Sequence, residues 1–153
     1  MVRNFYIEHV VPDGTAATTY TLAAGTTDVT SGEIDCQAVL ELSILIALGT
    51  MAASATIDIK FQHSDSSGSG FVDIENSALT QGVATDDDKC YAVTIKNPTK
   101  RYVRVYIDRG GGNGIINAIF AFKKYRELPV AQSVAAGQFI AAPEVLYGVT
   151  GTA

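Results

Sequence analysis

The chain has no tryptophan, and its cysteines and histidines are too few and too scattered for most metal or redox chemistry. Cys36 and Cys90 share no CxxC spacing. His9 and His63 have no Cys, His or carboxylate at ligand spacing, and two histidines fall short of the usual zinc sets. Each cysteine lies in a strand-like run and reads as a small buried hydrophobe. A Cys36–Cys90 disulfide is the less favoured alternative. The N-terminal stretch MVRNFYIEHVV lacks the apolar core and cleavage site of a secretory signal, so no export by that route is expected. Long hydrophobic runs are also missing. The longest, Leu42–Met51, is too short to cross a bilayer and contains Ser43 and Gly49, so no membrane partner is expected.

Catalytic signatures are absent as well. No GxSxG, HExxH or P-loop occurs, and no serine or cysteine has a plausible catalytic base beside it in sequence. The Gly-rich stretch 110–114 joins two strand-like runs. It has no helix N-terminus to present amides to a phosphate. The run Asp86, Asp87, Asp88 is the densest cluster of carboxylates, which suit a hard cation. It lacks the glycine and terminal glutamate of an EF-hand loop. The chain is therefore expected to be no enzyme, with no catalytic residue, cofactor or metal assigned.

Charge is sparse. Charged residues make up 18 % of the chain, below the ~25 % of ordinary globular domains. The net charge of −5 argues against nucleic acid or an anionic membrane as a partner. Eight of the eleven cations nevertheless fall within 96–126: Lys96, Lys100, Arg101, Arg104, Arg109, Lys123, Lys124 and Arg126. A subunit with separate acidic and basic zones can dock on copies of itself, and a chain with little charge can bury outer surface against partners. Solvated edges are the plainer use of any single charge cluster.

What the sequence has is alternation. In 31–48, Leu40, Leu42, Ile44, Ile46 and Leu48 fall on one face of a strand, with Val39, Glu41, Ser43, Leu45 and Ala47 on the other. A helix over 38–53 is the alternative. Ile57, Ile59 and Phe61 alternate with Asp58, Lys60 and Gln62. Tyr91, Val93 and Ile95 alternate with Cys90, Ala92 and Thr94. Val103, Val105 and Ile107 alternate with Tyr102, Arg104 and Tyr106. Turn residues separate these runs, at 12–14, at 64–70, at Pro98 and at 110–114. The pattern predicts an all-β fold, an antiparallel β-sandwich or jelly roll of about eight strands over 1–126, with hairpins at 64–70 and 110–114.

Beyond Arg126 the character changes. Residues 127–153 carry no Lys or Arg, two prolines and scattered apolar residues. They read as an extended arm that packs Phe139, Ile140, Val145, Leu146 and Tyr147 on a neighbour. Those five side chains would remove ~500 Å² of apolar surface, at most ~12 kcal/mol. Fixing the backbone of the arm costs on the order of 25–50 kcal/mol. Side chains alone cannot hold it, so the arm must also gain backbone hydrogen bonds by adding a strand to a neighbour's sheet edge. A last edge strand with a frayed end is the alternative.

The order F-Q-x-S-D…F-x-D-I (61–74), A-V-T-I-K-N (92–97) and K-R-Y-V-R-V-Y-I (100–107), then a Gly turn and an apolar strand, resembles a group of small tailed-phage virion proteins. The resemblance covers roughly 38–125, and its motifs are structural. It implies a capsid decoration (cement) or other head protein that stabilises the phage head. The implied partner is the major capsid protein of the same virion, and a homotrimer is the implied assembly. The implied location is the capsid surface, after synthesis in the host cytoplasm. Interface candidates are Arg101, Arg104, Lys123, Lys124, Phe139, Ile140, Val145, Leu146 and Tyr147. Two other classes remain open. One is a carbohydrate- or receptor-binding sandwich using Tyr91, Tyr102, Tyr106 or Tyr125, which the lack of tryptophan disfavours. The other is a tail-tube or connector protein.

Overall fold

The computed structural model describes residues 5–10 and 22–126. Eleven strands form there: β1 (Phe5–His9), β2 (Leu22–Gly25), β3 (Val29–Thr30), β4 (Ile34–Asp35), β5 (Val39–Met51), β6 (Thr56–Ser64), β7 (Val72–Asp73), β8 (Gly82–Val83), β9 (Cys90–Lys96), β10 (Tyr102–Gly110) and β11 (Gly114–Tyr125). A single 3-10 turn spans Ala84–Asp86. No α-helix occurs among the described residues, so 38–53 is strand and not helix. The apolar period of two along β5 decides this.

The strands make two antiparallel sheets. One runs β1-β11-β5-β9, and the other β3-β10-β6-β7. Three pairs of short strands share a position: β2 continues β1 along β11, β4 continues β3 along β10, and β8 continues β7 along β6. The eleven strands thus fill eight positions, the order of a jelly roll. The sheets pack face to face. Leu42, Ile44, Ile46 and Leu48 of β5 and Ile116, Ile119 and Ala121 of β11 fill one side of the core. Ile57, Ile59 and Phe61 of β6 and Val103, Val105 and Ile107 of β10 fill the other. None of these is more than 2 % exposed. Both Ile116 and Ile119 point inward because the β11 register shifts between Ile116 and Ala118, a bulge at Asn117.

The hairpin expected at 64–70 forms, with Gln62 opposite Asp73 and His63 opposite Val72. The hairpin expected at 110–114 does not. β10 and β11 lie in opposite sheets, so this segment is a corner between them. Alternation and a Gly-rich turn predict a reversal of direction, which both a hairpin and a corner provide. The partners decide which one forms, and here β6 and β5 take the flanks of β10 and β11.

The corner depends on Gly111, whose φ is +69°. A Cβ there would overlap the carbonyl oxygen of Ser54, whose own hydroxyl donates to the Gly111 carbonyl at 3.0 Å. Gly68, at the β6–β7 tip, has a similar φ of +75° but open space around it. Gly68→Ala should therefore cost about 1 kcal/mol, the left-handed penalty alone. Gly111→Ala should cost more than about 2 kcal/mol, since strain and overlap add. Chemical denaturation of the two variants checks the order. Equal losses would contradict the corner geometry.

Candidate functional site

The outward residues of the two sheets differ in kind, and the sequence register dictates the difference. On the β3-β10-β6-β7 sheet the outward residues are polar and engaged. Arg104 donates to Gln62 Oε1 at 2.8 Å and lies over the Phe71 ring at 4.1 Å. Gln62 and Lys60 both donate to Asp73, at 2.8 and 2.7 Å. Lys60 lies over the Tyr106 ring, and the Tyr106 hydroxyl donates to Asp28 Oδ2 at 2.7 Å. At the end of this network Asp108 sits directly opposite Asp58 across the β10–β6 ladder. Like charges opposite one another destabilise a sheet. The Asp28 carboxylate, then lost solvent, then Asp58 push the Asp108 carboxyl above its usual range.

On the β1-β11-β5-β9 sheet the outward side chains are mostly apolar. Across the four strands, Ile7, Phe122, Ser43 and Thr94 form one row, and His9, Phe120, Leu45 and Ala92 the next. Ala118, Ala47 and Cys90 follow. Ser43 and Thr94 hydroxyls bond each other at 3.0 Å. His9 stacks on Phe120 with ring centres 4.6 Å apart, and burial lowers its pKa, so it is neutral near pH 7. These rows carry no formal charge there. At one end Lys124, Glu41 and Lys96 alternate in sign across the strands. The first two rows and their neighbours include a shallow concavity lined by Ser43, Leu45, Ala92, Thr94 and Phe122.

The basic residues expected to form one docking zone are dispersed. Arg101 makes a two-pronged pair with Asp35, at 3.2 and 2.9 Å. Arg104 belongs to the polar face. Lys124 is exposed on the apolar face. Lys123 is buried, facing inward, and pairs with Glu8 at 2.6 Å. That placement removes it from either outer face. Arg109, whose sequence position suggests a solvated cation, is also buried. Its guanidinium donates to the carbonyls of Thr27 and Gly114 at 2.9 and 3.2 Å, closing the gap between the sheets. Strand phase predicts both, because Lys123 shares a face with Ala121 and Arg109 shares one with Ile107. Phe139, Ile140, Val145, Leu146 and Tyr147, and the arm itself, lie outside the described residues.

Cys36 is buried and Cys90 exposed, both as free thiols. Cys90 thus departs from the buried reading. β9 is an edge strand, and its even residues face out. Burial pushes the Cys36 thiol up to about 12, which keeps it unreactive. The acidic run is structural in use. Asp86 accepts from the Val83 amide and from Lys89, at 3.0 and 2.8 Å, and Asp87 accepts from the Met51 amide at 2.7 Å. Among the described residues no three His, Cys, Asp or Glu side chains are grouped to hold a metal ion.

No protein-family model matches the chain, and no curated protein matches it. Among the solved structures that match the chain, two are distant in both sequence and shape. A family two carbohydrate esterase from Cellvibrio japonicus has a TM-score of 0.39 at 9 % identity, over 84 % of this chain and 33 % of that one. The Eiger TNF from S. frugiperda has a TM-score of 0.39 at 10 % identity, over 90 % of this chain and all of that one. The chain thus spans about a third of the esterase's length. Likenesses this distant carry no argument about activity.

Two outcomes follow from these charges. Asp108 has a raised folded pKa, so the folded state holds this proton more tightly than the unfolded one. Stability is then lost as pH rises through the folded value. Asp108→Asn should raise the melting temperature at pH 7, and the gain should vanish below the usual carboxylate range, near pH 3. A gain that is the same at both pH values would contradict the carboxylate pairing. Lys123→Met leaves the Glu8 carboxylate without its cation in a mostly buried site. It should cost about 1–3 kcal/mol, below the fully buried range because Glu8 retains some solvent. Adding Glu8→Gln should recover most of that loss, as a double-mutant cycle would show.

Proposed function

We propose that the chain is a non-catalytic virion protein that acts by docking, a capsid decoration (cement) protein binding the major capsid shell as an oligomer, with a trimer favoured. The apolar outer face of the β1-β11-β5-β9 sheet carries this reading. A sheet face exposed on an isolated chain is normally polar, with apolar residues alternating inward. Here Leu45, Phe120, Phe122 and Ile7 line the outside as well. Contiguous apolar surface rimmed by charge is the surface character of a protein–protein interface. The resemblance of roughly 38–125 to small tailed-phage virion proteins supplies the class of partner. A cement protein acts through many modest contacts repeated by symmetry, which requires surface and not chemistry.

The sugar-binding alternative needs an open aromatic platform. The rings on the polar face are already covered by cations: Tyr106 by Lys60, Tyr102 by Arg101 and Phe71 by Arg104. That occupancy favours the docking reading.

Leu45→Lys places an unpaired charge at the centre of the apolar face without touching the core. The melting temperature should change little. Burying an unpaired charge in an interface costs more than about 2 kcal/mol, so association should weaken at least ~30-fold. Sedimentation of the purified protein and electron microscopy of virions decorated with it read this out. A variant that assembles and binds capsids like the parent sinks the proposal.

A further inference from the structure

The open edge of β9 is a second place where this molecule is incomplete, and it stands apart from the capsid reading. Among the described residues β9 pairs with β5 alone. Leu48 N–H donates to the Lys89 carbonyl, and Asn97 N–H donates to the Leu40 carbonyl. Antiparallel ladders alternate, so the odd residues from 89 to 97 bond toward β5. The N–H and C=O groups of Cys90, Ala92, Thr94 and Lys96 therefore point away from it, with no partner among the described residues. Natural edges of this length are usually blunted by proline, a bulge or an inserted charge. Between Cys90 and Ile95 this one has none of them, and its register with β5 is unbroken.

The same chain supplies an occupant. β11 ends at the same end of the sheet as Asn97. Arg126 N–H donates to the Ala38 carbonyl, and Arg126 Nη2 reaches across to Asn97 Oδ1 at 3.1 Å. From β11 to a new position beyond β9 is three strand spacings, roughly 14 Å. About four or five extended residues cover that distance. The residues that come next, 130–142, hold no charge and lie between Pro129 and Pro143. Both prolines fit strand ends. A chain entering from the Asn97 end runs antiparallel to β9, the favoured pairing for this sheet.

We propose that residues 130–142 add to the β9 edge of their own chain as a further antiparallel strand, making β1-β11-β5-β9 a sheet one strand wider. The short crossing gives the segment a high effective concentration at that edge. The trench beside β9, where Phe61, Ile74, Leu79, Val93 and Ile95 meet the polar residues 75–77 and Thr94, then gains a wall.

Amide hydrogen exchange on the full chain tests this. The amides of Cys90, Ala92, Thr94 and Lys96 should exchange at least ~10-fold more slowly than open-edge amides, at a rate independent of protein concentration. Val134→Pro with Phe139→Pro in the full chain should abolish that protection while the odd-numbered amides of β9 stay protected. Ala92→Pro removes only an outward N–H, so it should leave the β5–β9 ladder intact and free the remaining outward amides of Cys90, Thr94 and Lys96. Open-edge exchange in the parent chain, or protection that survives both proline variants, overturns the proposal. Protection that grows with concentration assigns the strand to a neighbouring copy and overturns the intramolecular assignment.

Discussion

The dry contact between β5 and β11 on one side and β6 and β10 on the other is the constraint on which everything else depends. Its members come from four long strands whose apolar residues recur every second position. Each buried Leu, Ile, Val or Phe contributes roughly 1.5–3 kcal/mol relative to exposure. Because the side-chain period is two, a one-residue slip in any of these strands would turn the whole apolar set outward. The core therefore fixes register, and register fixes which residues stand on the two outer faces. The polar network on one face and the apolar rows on the other are consequences of the same phase.

That dependence explains what could be read in advance. The core residues of β5, β6, β9 and β10 were legible because alternation is a local signal. So was the β6–β7 reversal, where a Ser/Gly tip separates short partners. The corner at Gly111 was not, because its meaning depends on which strands flank β10 and β11, far away in sequence. Lys123 and Arg109 depart from expectation for a related reason. Residue type suggested solvent, while strand phase put both inside, where Glu8 and the carbonyls of Thr27 and Gly114 receive their charge. Cys90 shows the converse. Its run is apolar enough for a core, but it falls on the even, outward phase of an edge strand.

The apolar face was partly visible as well. Leu45 and Ala47 were placed on the second face of β5, opposite the aliphatic row. The sequence could not show that Phe120 and Phe122 of β11 and Ala92 of β9 would line up beside them. Sheet order builds that surface from four strands spread over more than a hundred residues. Its uncharged centre reflects choices at positions the core does not constrain. The cations, by contrast, are clustered in sequence but scattered in space, since neighbouring residues on a strand point to opposite faces.

A sheet has two ways to be unfinished, by its face and by its edge, and the chemistry of each selects a different partner. An apolar face is non-directional and gains from any complementary surface, so it suits repeated contacts on a lattice. An open edge is directional. It presents N–H and C=O groups at fixed spacing and accepts only another extended backbone. In this molecule the two meet at β9, whose outward side chains Ala92 and Thr94 border the apolar rows while its outward backbone groups form the edge. A strand added at β9 would extend the same apolar face by a further row of side chains. The edge therefore bears on the width of the docking surface, and whatever occupies it also sets what that surface can bind.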